Sequence, residues 1–170
     1  MGRVEAVFTA SEDSAPMERH ERSEAVEGGL AGDRYLLGTG YYSPFDVCEV
    51  TFVEGEALDA IREEFDIDLS DGRHRRNVVT RGVTLHDLLG TTFRVGEVAF
   101  RGTRPRPPCA HVEDVADEEG VTRALSNRRG GICADVVTPG VLRVGDEIEI
   151  LEGTAREEGA RVVERLRRGE

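Results

Sequence analysis

One cysteine in the chain stands among positive charges. The segment from Arg101 to Glu113 reads RGTRPRPPCAHVE, so Arg101, Arg104 and Arg106 precede Cys109 and His111 follows it. Guanidinium and imidazolium charge favour the thiolate, the form of cysteine that attacks electrophiles and binds soft metals. Cys109 is therefore a candidate for carrying sulfane sulfur, for covalent catalysis or for metal ligation. The alternative is a buried, inert thiol. Pro105, Pro107 and Pro108 stiffen the approach and cannot continue a strand ladder. Cys109 is thus expected on a rigid loop leaving the strand Glu97 to Gly102.

A second cluster, Arg73-His74-Arg75-Arg76-Asn77-Val78-Val79-Thr80-Arg81-Gly82, places four arginines and a histidine in nine positions. Arginine forks bind phosphate-like anions bidentately, so this island suits an anion. It equally suits an exposed face paired with Asp66, Asp68 and Asp71. His74 and His86 are expected at the surface. Arg34, next to the Gly32-Asp33 turn, reads either as a ligand group or as half of a buried salt bridge. The other two cysteines, Cys48 in VCEVTFV and Cys133 in GGICADVV, read as structural strand residues. Three widely spaced cysteines do not look like a disulfide framework or a zinc motif, and a reducing cytoplasm is the expected compartment.

Composition narrows the functions. The 170 residues carry 34 acids against 22 basic residues, a net charge of −12, and every basic residue is arginine. That balance argues against general nucleic-acid binding, which needs phosphate neutralisation, and against docking on an anionic membrane. Without lysine the chain cannot form a Schiff base with pyridoxal phosphate. No run approaches the roughly 18 apolar residues of a membrane span. An acidic surface in which arginine replaces lysine suits solubility in high salt, with an acidic protein from a high-GC genome as the alternative. If the halophilic reading holds, molar KCl should shift the melting curve upward by screening self-repulsion; a salt-independent curve would contradict it.

The elements that must position these residues are mostly short strands. Alternation predicts strands at Val4–Phe8, Val47–Val53, Asn77–Thr80, Thr92–Val95, Glu97–Gly102, Ile132–Val137 and Val141–Ile150. Arg94-Val95-Gly96-Glu97 and Arg143-Val144-Gly145-Asp146 carry turn chemistry. Many short strands with turns between them favour a barrel or sandwich. Glu54–Phe65 places Leu58, Ile61 and Phe65 on one helical face, and Val83–Gly90 reads as a single turn. Short helices are expected at Ala110–Ala116 and Glu118–Leu125. Glu12–Gly32 is polar and reads as a loop, as does Gly38–Pro44. A helical tail, residues 153–170, is expected after a domain of residues 1–152.

The ordered set Gly32-Asp33-Arg34-Tyr35, Arg75-Arg76-Asn77-Val78-Val79-Thr80-Arg81-Gly82, Phe93-Arg94-Val95-Gly96-Glu97-Val98, Arg101-Gly102-Thr103-Arg104 leading to Cys109, Gly130-Gly131 and Arg143-Val144-Gly145-Asp146-Glu147-Ile148 resembles the MOSC domain, related to the C-terminal part of molybdenum cofactor sulfurases. The resemblance implies a mainly β fold, a strongly twisted barrel with a few short helices. It implies a molybdenum–pterin cofactor, with Cys109 as catalytic, sulfur-carrying or metal-ligating residue. Arg34, Arg75, Arg76, Asn77, Thr80, Arg104 and His111 are the implied cofactor-binding residues. A stand-alone member of this kind would bind the cofactor, carry sulfur to it, or reduce N-hydroxylated compounds with a redox or sulfur-donor protein as partner. A homodimer stays open. A non-enzymatic thiol or anion-binding module is the competing function. Pyridoxal phosphate is not expected in this chain alone.

Overall fold

In this computed structural model the described residues are 2–12, 15–37, 48–106, 120–125 and 129–151. The alternating N-terminal segment forms β1 (Gly2–Thr9). It buries Val4 and Val7 on one face and Ala6 and Phe8 on the other. The change of phase follows an irregularity in its register with β6 between Val4 and Ala6, where one extra residue turns the strand over. Next come β2 (Glu18–His20), β3 (Arg22–Val26), β4 (Gly29–Leu30) and one helical turn, α1 (Arg34–Leu37). β5 (Val50–Glu54), α2 (Gly55–Phe65), β6 (Val78–Arg81), a 3₁₀ turn (Leu85–Leu88), β7 (Thr92–Val95) and β8 (Val98–Pro105) follow. The described chain ends with a second helical turn, α3 (Val121–Ala124), then β9 (Ile132–Thr138), β10 (Gly140–Arg143) and β11 (Glu147–Ile150).

Seven strands close on themselves in the order β1-β11-β7-β8-β9-β5-β6 and back to β1. The closing contact pairs Gly2 with Ile148 and Arg3 with Glu147. Closure removes free edges, and the expected mainly β barrel with short helices is the observed fold. β5 and β6 are parallel, which requires a crossover; α2 supplies it. The interior is filled by residues such as Val4, Val7, Val50, Phe52, Phe93, Phe100, Ile132 and Ile148. Phe52 meets Phe93 and Phe100 edge-on at 5.6 and 5.1 Å. A three-stranded sheet, β10-β3-β4, adds Ala25, Leu30 and Leu142 to this core. A second apolar cluster lies outside the wall, where Leu58 and Ile61 of α2 cover Ala6, Phe8, Val53 and Val79.

Several expectations need correction. Glu12–Gly32 is not a loop, because β2, β3 and β4 occupy most of its second half. β3 turns Ser23 and Ala25 inward and Arg22 and Glu24 outward, and small inward residues leave no hydrophobic alternation to detect. Val141–Ile150 is two strands split at Gly145, whose φ is 93°. β8 runs on to Pro105, beyond the expected end at Gly102. Cys48 and Cys133 form a disulfide between residues 85 apart in sequence, with Cα atoms 5.5 Å apart. Their spacing gives no hint of it, because β5 and β9, far apart in sequence, become neighbours only through the sheet order of the fold. Cys109, His111, the Ala110–Ala116 helix, the Gly38–Pro44 loop and the 153–170 tail lie outside the described residues.

Candidate functional site

A row of residues crosses the wall from strand to strand. Arg104 of β8 pairs with Cys133 of β9, and Cys133 pairs with Thr51 of β5. Asn77, just ahead of β6, donates its backbone N–H to the Thr51 carbonyl at 3.1 Å and accepts from the Phe8 N–H of β1 at 2.7 Å. Ile132 and Ala134 point into the barrel core, so Cys133 between them faces outward. The Asn77 side chain fixes this row. Its oxygen accepts from the Thr51 N–H and hydroxyl, each at 3.0 Å, and its nitrogen donates to the Phe8 carbonyl at 3.1 Å. With its acceptor positions committed to the fold, Asn77 is a scaffold residue. Thr80 is buried as well, its hydroxyl facing the Val53 carbonyl at 3.5 Å.

Four buried arginines gather beside this row. Arg34, in α1, donates to Asp33 at 3.1 Å and to the Arg75 carbonyl at 2.9 Å. Asp33 is itself fully buried and also accepts from the Ala10 N–H, so the salt bridge anchors α1 to the end of β1. Arg75 takes a left-handed φ of 64°, a conformation that strains a non-glycine residue. Its guanidinium reaches back to the carbonyls of Ala15 and Glu12. Arg76 donates from Nε to the Gly130 carbonyl at 2.7 Å and from Nη1 to the His74 carbonyl at 3.0 Å. Arg106, just past β8, donates its backbone N–H to Gly131 at 2.8 Å. Its Nη2 reaches the Tyr35 hydroxyl at 2.6 Å. The Tyr35 ring lies beneath both Arg34, at 4.5 Å, and Arg106, at 5.6 Å. Arg34 is thus paired with buried Asp33, while carbonyl and hydroxyl contacts fix the guanidiniums of Arg75, Arg76 and Arg106, which keep their charge when buried.

His74 registers that charge. It is fully buried, not at the surface as expected. Its Nδ1 accepts the Arg76 N–H at 2.8 Å, which leaves the proton of the neutral ring on Nε2. Burial, then Arg76, Arg75 and Arg34, push its pKa down to about 3. The Arg73–Arg81 island therefore divides. Arg75 and Arg76 join the cluster, half-buried Arg73 pairs with Asp71 at 2.9 Å, and Arg81 is held by Glu5 at 3.0 Å and Asp59 at 2.8 Å. Of the acids expected to pair with the island, Asp71 holds Arg73, whereas Arg81 is held by Glu5 and Asp59 instead.

The family model for the MOSC domain matches residues 46–149. The chain belongs to the MOSC family. Solved structures share the fold. YUAD protein from Bacillus subtilis superposes with a TM-score of 0.73 at 20% identity, over 88% of this chain and 96% of that one. YiiM from Geobacillus stearothermophilus gives 0.69 at 13% identity, over 89% and 76%. YiiM from Escherichia coli gives 0.62 at 21% identity, over 93% and 76%. No curated protein matches the chain.

In this MOSC domain the structure brings Arg34, Arg75 and Arg76 together and adds Arg106, His74, Tyr35 and Gly130. Tyr35 and Asp33 had a signal, an aromatic and an acid flanking an arginine at a glycine turn. Gly130 is needed for close approach: a Cβ there would lie 2.1 Å from the Arg106 carbonyl oxygen. Arg104 stands in the cross-strand row beside Cys133 rather than among the four arginines. Among the described residues no group of three or more His, Cys, Asp or Glu side chains could hold a metal, and no helix is long and apolar enough to cross a membrane. A separate cavity of about 250 Å³, lined by Glu5, Arg19, Asp59, Arg62 and Arg81, lies under α2. Its carboxylates are engaged with Arg81 and Arg62.

Proposed function

We propose that this MOSC protein binds a molybdenum–pterin cofactor, with the arginine cluster taking the anionic phosphate end and Cys109 serving the metal or carrying sulfur. One observation carries the reading. Arg34, Arg75, Arg76 and Arg106 are buried around Tyr35, His74 and Gly130, and Cys109 follows Arg106 by three residues, a length of chain that spans at most about 11 Å. The cluster fits the anionic end of such a group, because guanidinium forks match phosphate oxygens and stay charged when buried. Asn77 fits less well as a direct contact, since its oxygen is already saturated; its role is to set Arg76 beside β5. When bound, the cofactor supplies a redox-active metal centre, consistent with reduction of N-hydroxylated compounds through a redox partner. A thiolate near guanidinium charge is also a sensible acceptor for sulfane sulfur.

Elemental analysis of protein from a molybdenum-replete host tests this. Stoichiometric molybdenum and phosphorus are expected, with molybdenum lost in Cys109→Ala and phosphorus weakened in Arg106→Gln. Metal-free protein that resists reconstitution would leave the anion-binding module as the function. Sulfur carriage is tested by mass spectrometry after treatment with a sulfur donor. A gain of one sulfur atom at Cys109 is expected; no gain there would remove that role.

A further inference from the structure

We propose that the Cys48–Cys133 pair is a redox modification site whose oxidation state sets the order of the arginine cluster. The inference rests on the anion-site reading above. The disulfide lies in the same cross-strand row as the site. Cys133 is the register partner of both Thr51, which holds Asn77, and Arg104. Two residues before Cys133, the Gly131 carbonyl accepts the Arg106 N–H at 2.8 Å. Three residues before it, the Gly130 carbonyl accepts from Arg76 at 2.7 Å.

The wall around these carbonyls has no slack. A Cβ on Gly131 would lie 1.7 Å from the Phe52 carbonyl oxygen, and one on Gly130 would lie 2.1 Å from that of Arg106. On the other side, Glu49, next to Cys48, accepts the Val136 N–H of β9 at 3.0 Å. Bonded sulfurs sit about 2.05 Å apart, whereas two non-bonded thiol sulfurs need van der Waals separation, close to twice that. In a close-packed interior the difference must be taken up by neighbouring backbone. The start of β9 therefore shifts on reduction, and with it the Gly130 and Gly131 carbonyls that hold Arg76 and Arg106.

The chemistry is thiol–disulfide exchange. In the oxidising direction one cysteine thiolate attacks a small-molecule disulfide and expels one thiolate. The second cysteine then attacks the mixed disulfide and expels the other. Two cysteine thiols are oxidised, two small thiols form, and they take up the two protons released. Both cysteines are buried, at 4% and 0% exposure, so exchange waits on local opening. The pair thus follows a sustained redox poise rather than a brief pulse.

The test uses the whole wild-type chain and the Cys48→Ala/Cys133→Ala double variant, with inorganic phosphate as the probe. After equilibration with a small disulfide, the intact mass should be two hydrogens lighter than the reduced chain, and alkylation in denaturant should mark Cys109 but not Cys48 or Cys133. A phosphine reductant should weaken phosphate binding about tenfold, within the usual range of site-to-site coupling, and leave the double variant unmoved. The Arg76 and Arg106 Nε–H resonances should shift on reduction with no phosphate present. A disulfide that fails to form at Cys48–Cys133 would overturn the proposal, as would identical arginine resonances in the two redox states. If phosphate binds in neither state while those resonances still move, the anion-site reading fails and the redox coupling stands.

Discussion

Arg76→Ala should lower the stability of the protein by about 3–5 kcal/mol, which for a domain of this size is on the order of 10 °C in Tm. Arg76 is among the largest fully buried side chains. Truncation to alanine removes its donors to the Gly130 and His74 carbonyls. Each stranded acceptor costs about 1–3 kcal/mol, and the vacated volume adds a cavity term. One effect opposes these losses: Arg76 lies near the positive charges of Arg75 and Arg34, so its removal relieves some like-charge repulsion. The loss should exceed that relief, because a buried fork joining two chain segments is structural whatever its charge. Arg76→Lys keeps the charge but offers a single nitrogen, so it should recover less than half of the loss. Urea unfolding of both variants checks this. A loss under about 1 kcal/mol for Arg76→Ala, the scale of an ordinary surface change, would mean that Gly130 and His74 have other partners.

Much of the barrel is legible in the sequence because its strands alternate strongly. Val4, Ala6 and Phe8, Phe93 and Val95, and Ile132, Ala134 and Val136 are apolar at every second position, and the turns at Gly96 and Gly145 take the positive φ that glycine permits, 59° and 93°. The helix at Glu54–Phe65 shows itself by its spacing and appears as α2 (Gly55–Phe65). β2–β4 escape notice because they are short and bury Ser23, Ala25 and Gly29, with Leu30 as the one large side chain turned inward. The arginine cluster is half legible. Arg34, Arg75 and Arg76 stand out as charges in an acidic chain, but sequence does not distinguish a solvated arginine from a buried one. His74 illustrates this, since its polar neighbours suggest a surface and its burial follows from Phe8 packed edge-on at 5.3 Å. The disulfide is illegible because it depends on which strands the closed barrel makes neighbours.

The absence of lysine acquires a second meaning inside the fold. A buried ammonium can shed its proton and become neutral, whereas a guanidinium keeps its charge under the same desolvation. The four arginines buried around α1, the Gly72–Arg76 turn and the end of β8, one of them paired with buried Asp33, therefore keep their guanidinium charge in an acidic chain.

The acid limb of the stability curve should carry the signature of His74. Its folded-state pKa is pushed down to about 3 from 6.5, first by burial and then by Arg76, Arg75 and Arg34. Between those values the unfolded chain binds a proton at this residue that the folded chain refuses. Stability from His74 is thus fully present above about pH 6.5 and is lost as pH falls toward 3. Linkage gives about 2 kcal/mol lost between pH 7 and 5, and about 3 kcal/mol by pH 4. His74→Asn keeps an acceptor for the Arg76 N–H, which Nδ1 now receives at 2.8 Å, but cannot titrate. Its stability at pH 7 should fall through lost packing against Phe8, while the difference from wild type should narrow steadily as the medium is acidified. Urea midpoints at pH 7, 6, 5 and 4 measure this difference, in which the carboxylates common to both proteins cancel. In Arg76→Ala the nearest repelling charge is gone, so the His74 contribution to the limb should shrink there too. Parallel curves for wild type and His74→Asn would show that His74 is protonated at pH 4 in the folded protein and would overturn this account of the acid limb.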